Sequence, residues 1–414
     1  MRRVSSALTK TDQEYETLKI VTRGRKSGLP HIAVVRFVRS NGAFLILSGK
    51  QKSDWVQNAL AAGSAKMRIG NYSQDATCEI FSDRQKALKL FSQKYGTTLV
   101  NDWYAASRAC LKLAPTSEPT LRGSVRGEGE AKQDLEDWKK SGTGYYTAIS
   151  EAFDSASEEY DFTIHQNFIN VWIRERSIKE ILSISRPGDV LLEIGSGTGV
   201  EALEISRYVS GIVATDISKE MISLVERKVR ARGLQNKIKS VQLGASEIGK
   251  IAPYLPNGKV RVSYSFNGAL NCEPRLEEFS KELSTIIEPD GFFVCSIRNT
   301  LCMSEAISHA LVLQFDKMAP RKKQPIMVSV GGIDIPSYYY SPVKFVKFFE
   351  ENFKVRKMIG LPAILPPAYL SNLYFKARKV LSFAERAEAA FAGHYPLNRF
   401  GDQTLIIFQR NSSG

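Results

Sequence analysis

Cysteine and histidine are scarce in this chain, and long apolar runs are absent. Only 5 cysteines and 4 histidines occur among 414 residues. The cysteines are scattered and form no C-x-x-C pair, so the sequence predicts neither a disulfide framework nor a bound metal ion. No apolar run is long enough to predict a transmembrane helix, and the first residues lack the apolar segment of a signal peptide. We therefore expect a cytoplasmic protein.

Positive charge is concentrated in the first quarter of the chain. The formal net charge is +14, and residues 1–100 hold 17 Lys or Arg against 7 Asp or Glu. This asymmetry favours an anionic partner at that end, such as a nucleotide, a phosphate-bearing cofactor, a nucleic acid or an acidic lipid. A solvated basic face that only aids solubility is the alternative, and composition does not decide between them.

The length and a hydrophobic content of 43% predict more than one packed domain. Short β-rich segments separated by Gly-rich or Asn-Gly turns predict strands at 18–22, 32–38, 43–47 and 65–69, with helices at 54–62 and 84–95. Residues 115–144 are rich in Ser, Gly, Lys and Glu and predict a linker. From residue 145 onward, amphipathic helices alternate with apolar strands. The predicted domains are therefore 1–114 and 145–414.

The most specific motif is an apolar strand, 189–194 (DVLLEI), that runs into the glycine turn 195–199 (GSGTG). Such a turn lets the backbone approach a ligand closely. The next strand ends at Asp216, where a carboxylate can accept hydrogen bonds from ribose hydroxyls. A dinucleotide-binding pattern counted from the first glycine fails at Val200. Counted from the second glycine, it fits only the looser ending in alanine, Ala202.

The sequence LLEIGSGTG and the following ATDIS resemble motifs I and II of the class I S-adenosylmethionine-dependent methyltransferases. The resemblance runs from about residue 145 to the end. It implies an α/β Rossmann-like domain with a seven-stranded, mostly parallel sheet, closed by an antiparallel pair at 353–361 and 404–408. It also implies that the cofactor S-adenosyl-L-methionine contacts Glu193, Gly195, Ser196, Gly197, Thr198, Gly199, Asp216, Ile217, Ala245 and Ser246. The acidic residue that this family often has in its adenine loop is replaced here by Gly244 or Ala245.

Methyl transfer requires a nucleophile aligned with the activated methyl group, and a base only if the acceptor is protonated. His165, His309 and Asn267 are the candidate catalytic residues, although either histidine also fits a structural role. Tyr145, Tyr146 and Tyr160 are candidates for a lid. The aromatic insertions near 299–340 and 360–380 favour a small, apolar or lipid-like acceptor. A lysine and arginine cluster at 344–357 would suit peripheral membrane contact or a solvated face.

The N-terminal hairpin 23–28 (RGRKSG) combines cations, a hydroxyl and permissive glycines, which suits phosphate binding. With the later Trp55 and Asn58, it resembles the deazaflavin-dependent nitroreductase family, small split β-barrels related to the flavin-mononucleotide oxidases. The resemblance implies that coenzyme F-420 or FMN is bound by Arg25, Lys26, Ser27, Ser48, Lys50, Trp55 and Asn58. Asp54 stands where that family has a proline. A barrel without a cofactor, used for docking or dimerisation, is the alternative.

The two resemblances together predict a fusion that reduces and methylates one small molecule. A nucleic-acid methyltransferase with a basic N-terminal binding barrel is the main alternative, and a non-enzymatic S-adenosylmethionine sensor is another. Aromatic residues are not interleaved with the basic ones at 23–39, which argues against nucleic-acid stacking. A homodimer is compatible with the resemblance, because split barrels often build the cofactor site between two protomers.

Overall fold

The computed structural model describes residues 17–25, 30–48, 54–69, 72–104, 109–121, 143–165, 167–311, 321, 324–368 and 378–412. The chain divides into two compact units, residues 1–125 and 126–414. The predicted bounds 1–114, 115–144 and 145–414 stay predictions.

The first unit is built on an eight-stranded antiparallel sheet that curls into a half-barrel. The strands are β1 Thr17–Arg23, β2 Pro30–Arg36, β3 Val38–Ser40, β4 Ala43–Ser48, β5 Ser64–Ile69, β6 Tyr72–Ile80, β7 Ala109–Pro115 and β8 Thr120–Leu121. Their order is β2-β1-β5-β6-β7-β4-β3, with β8 paired to β6. Among the described residues of this unit, three helices accompany them: α1 Asp54–Ala62, α2 Arg84–Tyr95 and α3 Thr97–Tyr104.

The core of this unit lies between the sheet and α1. All six residues of β4 are buried, and Val56 and Ala59 of α1 belong to the same apolar cluster as Leu18 and Ile46. The turn Asn41–Gly42 has positive φ at both residues (51° and 77°), as a tight hairpin requires. The predicted hairpin turn is therefore confirmed.

One predicted strand is interrupted. The sequence predicts a continuous strand over 32–38, whereas the structure ends β2 at Arg36 and begins β3 at Val38. Phe37 lies between them and is buried, and its backbone amide donates to the hydroxyl of Tyr95 (3.1 Å). That hydroxyl donates in turn to the Phe37 carbonyl at 2.7 Å. A side chain from α2 therefore satisfies the backbone groups that a neighbouring strand would otherwise pair.

The second unit is an α/β domain around a seven-stranded sheet in the order β11-β10-β9-β12-β13-β17-β16. The strands are β9 Val190–Ile194, β10 Gly211–Asp216, β11 Ile238–Gln242, β12 Val260–Ser265, β13 Ile287–Arg298, β16 Phe353–Leu361 and β17 Gln403–Arg410. The first five in this order are parallel, and β17 pairs antiparallel with β13 and β16. The predicted seven-stranded, mostly parallel sheet and its antiparallel closing pair are confirmed.

A separate two-stranded hairpin, β14 Ile326–Val330 and β15 Ile333–Ser337, lies inside the predicted insertion. The helices in the described part of this unit are α4 Thr143–His165, α5 Phe168–Ile184, α6 Val200–Ile205, α7 Lys219–Ala231, α8 Leu276–Ile286, α9 Met303–Leu311, α10 Pro342–Lys347 and α11 Arg378–Phe391. A 3-10 segment, Ala245–Tyr254, follows β11.

Both faces of the sheet are covered, which explains why its central strands are apolar throughout. On one face, Leu191 of β9 packs in a cluster with residues of α5, α6 and α7. On the other, Leu192 packs in a cluster with α8 and α10. Stacked rings reinforce the second layer, because Phe349 lies 4.9 Å from Phe408 and 5.8 Å from Phe293 between ring centroids. This rigid sheet fixes the loops at its carboxyl edge.

Candidate active site

A cavity of about 410 Å³ opens at the carboxyl ends of β9, β10 and β12. In the order β11-β10-β9-β12, the chain adds strands first to one side of β9 and then to the other. The topological switch point therefore lies between β9 and β12, where open α/β sheets bind ligands. The wall comes from the loops after these strands, from α4 and from the hairpin β14–β15. The cavity therefore has one side built by the sheet and another built by covering elements.

The glycine turn after β9 forms the floor of the sheet side. Gly195, Gly197 and Gly199 all have positive φ (71°, 52° and 72°). A Cβ on Gly195 would lie 2.5 Å from the Cβ of Ala269, and one on Gly197 would lie 3.2 Å from the ring of Tyr160. Both conformation and space therefore require glycine here, and they leave the backbone at the cavity surface.

Two buried polar atoms on this floor have no hydrogen-bond partner among the described residues: Oε2 of Glu193 and Oγ of Ser196. Burial raises the pKa of Glu193 well above its usual range, and the neighbouring carboxylate of Glu201 adds to the shift. Unpaired buried polar atoms are costly unless a ligand supplies the missing partners. An amino group is a hydrogen-bond donor that the Glu193 carboxylate can accept, so this floor fits the amino-acid end of S-adenosylmethionine.

Asp216 stands at the end of β10 with both carboxylate oxygens fixed by backbone amides. Oδ2 accepts from the Gly197 amide (2.7 Å), and Oδ1 accepts from the Ser218 amide (2.9 Å). Burial raises the pKa of Asp216 to about 6, although these two hydrogen bonds act in the opposite direction. Each oxygen keeps a further lone pair, so the carboxylate can accept hydrogen bonds from a ribose diol.

Beside Asp216, the wall is apolar. Ile217, Gly244 and Ala245 line the cavity, and a Cβ on Gly244 would lie 3.3 Å from Ile217. An apolar wall of this kind suits an adenine ring.

Helix α4 covers the sheet side and is held there by side-chain hydrogen bonds. Asp154 accepts from the Ser218 hydroxyl and from the Glu220 amide (3.0 Å). Seven residues further along the helix, Asp161 accepts from the Thr198 hydroxyl and forms an ion pair with Lys228 (2.5 Å). The helix therefore attaches directly to the turns after β9 and β10.

The opposite end of the cavity is mostly apolar. Val328, Val330 and Ile335 of the hairpin β14–β15 face the cavity together with Ile149 and Phe153 of α4. The hairpin is tied to α4 by a hydrogen bond from the Ser155 hydroxyl to the Gly331 carbonyl (2.8 Å). An apolar chamber next to the sheet-side pocket suits an acceptor with a hydrocarbon or aromatic body.

The cavity also has a smaller set of polar lining residues. Oε1 of Glu201 accepts from Arg174 Nε (3.0 Å) and from Asn267 Nδ2 (2.9 Å). Further along, Glu273 and Arg298 also line the cavity. These groups would orient an acceptor that carries polar substituents.

In the first unit, the structure brings two predicted binding residues together. The backbone amide and Nε of Arg25 both donate to Oδ1 of Asn58, at 3.3 and 3.2 Å. Asn58 is buried on α1, Trp55 of the same helix packs against the core, and Ser48 is buried at the end of β4. Lys26, Ser27 and Lys50 lie outside the described residues.

Comparisons with known proteins give an independent reading of each unit. A family model described as a methyltransferase domain matches residues 192–295, and one described as F420H(2)-dependent quinone reductase matches residues 1–106. A ubiquinone/menaquinone biosynthesis C-methyltransferase of Geotalea uraniireducens is 28% identical over 217 residues, covering 50% of this chain and 84% of the relative. The same-named enzyme of Vibrio parahaemolyticus is 29% identical over 218 residues, covering 47% of this chain and 83% of that relative.

The second unit carries an S-adenosylmethionine-dependent methyltransferase domain. Solved structures similar to it include the YcgJ protein of Bacillus subtilis, at 15% identity and a TM-score of 0.37, covering 58% of this chain and 100% of that one. A geranyl diphosphate C-methyltransferase of Streptomyces coelicolor is similar at 13% identity and a TM-score of 0.36, covering 57% of this chain and 78% of that one.

Most residues predicted to bind the methyltransferase cofactor lie together at the cavity wall: Glu193, Gly195, Ser196, Gly197, Thr198, Asp216, Ile217 and Ala245. Gly199 is instead the N-cap residue of α6, and neither it nor Ser246 lines the cavity. Of the candidate catalytic residues, Asn267 lines the cavity, whereas His309 lies on α9 outside its lining. His165 ends α4, and its side chain is outside the described residues. The roles of all three stay predictions.

Four charged residues of the methyltransferase cavity were not predicted: Arg174, Glu201, Glu273 and Arg298. Glu273 follows directly on the polar turn after β12, a position that could have drawn attention to it. The predicted lid tyrosines Tyr146 and Tyr160 line the cavity, and Tyr145 donates to the Cys272 carbonyl (2.8 Å).

No described helix is long and apolar enough to span a membrane. Over the same part of the chain, no three His, Cys, Asp or Glu side chains form a group suited to a metal ion.

Proposed function

We propose that this protein transfers a methyl group to a ring carbon of a reduced quinone, a hydroquinone with an apolar body. One observation carries the proposal: a single cavity joins the cofactor-type floor at Glu193 and Asp216 to an apolar chamber under the hairpin β14–β15. The names of the two C-methyltransferase relatives support this class of acceptor.

Some residues of the cavity would bind the cofactor, and others cover it. S-Adenosylmethionine, when bound, supplies an electrophilic methyl group on a positively charged sulfur. Glu193 and Ser196 would hold its amino group, and Asp216 its ribose. Helix α4 and the hairpin line the cavity opposite the sheet, so that the chain mainly contributes alignment of the acceptor carbon.

The redox state of the acceptor matters for this chemistry. A new carbon–carbon bond requires an electron-rich ring carbon, and the hydroxyl groups of a hydroquinone donate electron density into the ring. The ring of the oxidised quinone is electron-poor and cannot attack a cationic methyl donor. The proposal therefore specifies the hydroquinone.

The test is transfer of a labelled methyl group from S-adenosylmethionine to a pre-reduced 1,4-naphthohydroquinone that bears an apolar chain and one unsubstituted ring carbon. We expect label on the ring carbon with the wild-type protein and a loss of at least about 100-fold in Asp216→Asn at sub-saturating cofactor. Label on an oxygen atom, or no label at all, would refute the proposed acceptor.

We further propose that the first unit is a split β-barrel that binds a deazaflavin and reduces the quinone. When bound, the reduced deazaflavin supplies a hydride. The quinone accepts this hydride and one proton and becomes the hydroquinone, while the deazaflavin is oxidised. The contact between Arg25 and Asn58 and the quinone reductase family match to residues 1–106 support this assignment.

The test is the loss of absorbance of reduced coenzyme F-420 on addition of the quinone to the full-length protein. We expect Arg25→Ala to weaken deazaflavin binding about tenfold or more, because a charge-assisted contact is removed. Arg84→Ala, at an exposed position on α2, is the matched control. Equal affinity of wild type and Arg25→Ala would argue against the predicted site.

A further inference from the structure

Glu273 is a buried carboxylate in the wall of the cavity. It follows the short 3-10 segment Ala269–Cys272 after β12 and is only 2% exposed. The other cavity carboxylates have positions on the cofactor floor or an ionic partner. Asp216 is fixed by two amides, and Glu201 is paired with Arg174. Neither reason accounts for the buried carboxylate of Glu273 in the cavity wall.

The two oxygens of Glu273 are in different situations. Oε1 accepts from the Tyr146 hydroxyl (2.8 Å) and from the Arg275 amide (2.8 Å). The Tyr146 hydroxyl in turn accepts from Arg275 Nε at 3.2 Å. Both of the hydrogen bonds to the carboxylate are accepted by Oε1, and neither uses Oε2. The carboxylate is therefore oriented through Oε1, which leaves Oε2 for a ligand.

The position of Glu273 relates it to the acceptor chamber. Tyr146 belongs to α4, the helix that also contributes the apolar residues Ile149 and Phe153 to that chamber. Arg298, at the end of β13, lines the same cavity and is paired with Asp402 (2.8 Å). A polar carboxylate oxygen among apolar walls selects for a ligand that brings a hydrogen-bond donor.

We propose that Oε2 of Glu273 is the general base that accepts the proton of the acceptor hydroxyl during methyl transfer, with Tyr146 as its positioning residue. This inference rests on the proposed function. The hydroxyl proton passes to Oε2, the ring carbon forms its bond to the methyl carbon, and the electron pair of the breaking sulfur–carbon bond stays on sulfur. The ring carbon then loses its own proton to solvent. Glu273 returns its proton to the ring oxygen, and one proton is released per methyl group transferred.

The surroundings of Glu273 give this role a pH signature. Burial raises the pKa of Glu273, whereas the Arg275 amide and the Tyr146 hydroxyl lower it. The titratable and charged groups that face it are Tyr145, Tyr146, Cys272, Arg275, Glu278 and Tyr340. A base works only when deprotonated, so the rate falls as the pH falls through a pKa above that of an ordinary glutamate.

The test compares methyl transfer to the hydroquinone across pH in wild type, Glu273→Gln, Tyr146→Phe and Glu277→Gln. Glu277→Gln makes the same chemical change at an exposed position on the neighbouring helix. We expect Glu273→Gln to lower kcat about 100-fold or more while S-adenosylmethionine affinity stays unchanged. Tyr146→Phe should shift the low-pH fall of the rate to higher pH, because it removes a hydrogen bond that lowers the pKa of Glu273. If Glu273→Gln has the same rate and the same pH–rate profile as wild type, the proposal is overturned.

A binding measurement keeps the inference testable if the wild type does not methylate the hydroquinone. The protein saturated with S-adenosylhomocysteine is titrated with 2-naphthol and with its methyl ether. We expect wild type to prefer the naphthol about tenfold, and Glu273→Gln to lose that preference. No preference in wild type would overturn the role of Glu273 independently of the acceptor. A retained preference without turnover would refute only the hydroquinone assignment.

Discussion

At the scale of single residues, Asp216 shows how burial tunes a binding group. Its carboxylate is 7% exposed, and burial raises its pKa to about 6. The ionised form accepts hydrogen bonds from ribose hydroxyls, whereas the protonated form loses part of this capacity. If Asp216 binds the ribose as proposed, cofactor binding favours its deprotonated form.

A pH dependence of binding follows from this. We expect S-adenosylmethionine affinity to be constant above about pH 7 and to fall by up to about tenfold per pH unit below about pH 6. Calorimetric titration between about pH 5 and pH 8 measures the effect. Asp216→Asn should bind weakly at every pH. An affinity in wild type that does not change across this range would contradict the assigned role.

The residues whose placement at the cavity could be predicted from sequence are those whose position depends on local chain order. The glycines of 195–199 and Asp216 lie within one strand–turn–helix unit and the next strand, so their spacing alone brings them together. Glu273 is different. Its orientation depends on Tyr146, which is 127 positions earlier and reaches it only through the packing of α4.

At the scale of elements, α4 is the main cover of the methyltransferase cavity. It is attached by Asp154 and Asp161 to the turns on the sheet side, and by Ser155 to the hairpin. A covering helix held by a few polar contacts controls how fast a ligand enters and leaves.

We expect Asp154→Ala to loosen this attachment, because it removes the acceptor for the Ser218 hydroxyl and the Glu220 amide. The dissociation rate of S-adenosylmethionine should rise about tenfold. Stopped-flow displacement by S-adenosylhomocysteine would measure this rate. Glu151→Ala, on the exposed face of the same helix, should leave it unchanged. Equal rates in the two variants would show that this contact does not hold the cover.

Elements with a clear apolar period were predicted well. The helix 54–62 and the strand 353–361 have the same bounds in the structure as in the prediction. The hairpin β14–β15 was missed, although the sequence indicates it: two short β-rich runs flank Gly331–Gly332. In the structure both glycines have positive φ, as a tight hairpin turn requires. The contacts of the hairpin with α4 could not be predicted, because they depend on tertiary packing.

At the scale of the whole molecule, two compact units with separate family matches are joined in one chain. The order of the two proposed reactions follows from chemistry alone, because reduction makes the ring carbon nucleophilic and methylation requires such a carbon. Sequence reasoning predicted the joining of reduction and methylation on one molecule, but not this order. The order requires the quinone acceptor of the proposed function, which the sequence alone did not identify.

The most direct test starts from the oxidised quinone and measures ring-carbon methylation by the full-length protein with labelled S-adenosylmethionine. Reduced coenzyme F-420 is either added or omitted. The account predicts labelled product only when the reduced deazaflavin is present, and product without it when the quinone is reduced chemically beforehand. Equal methylation of the oxidised quinone with and without a reductant would contradict the account.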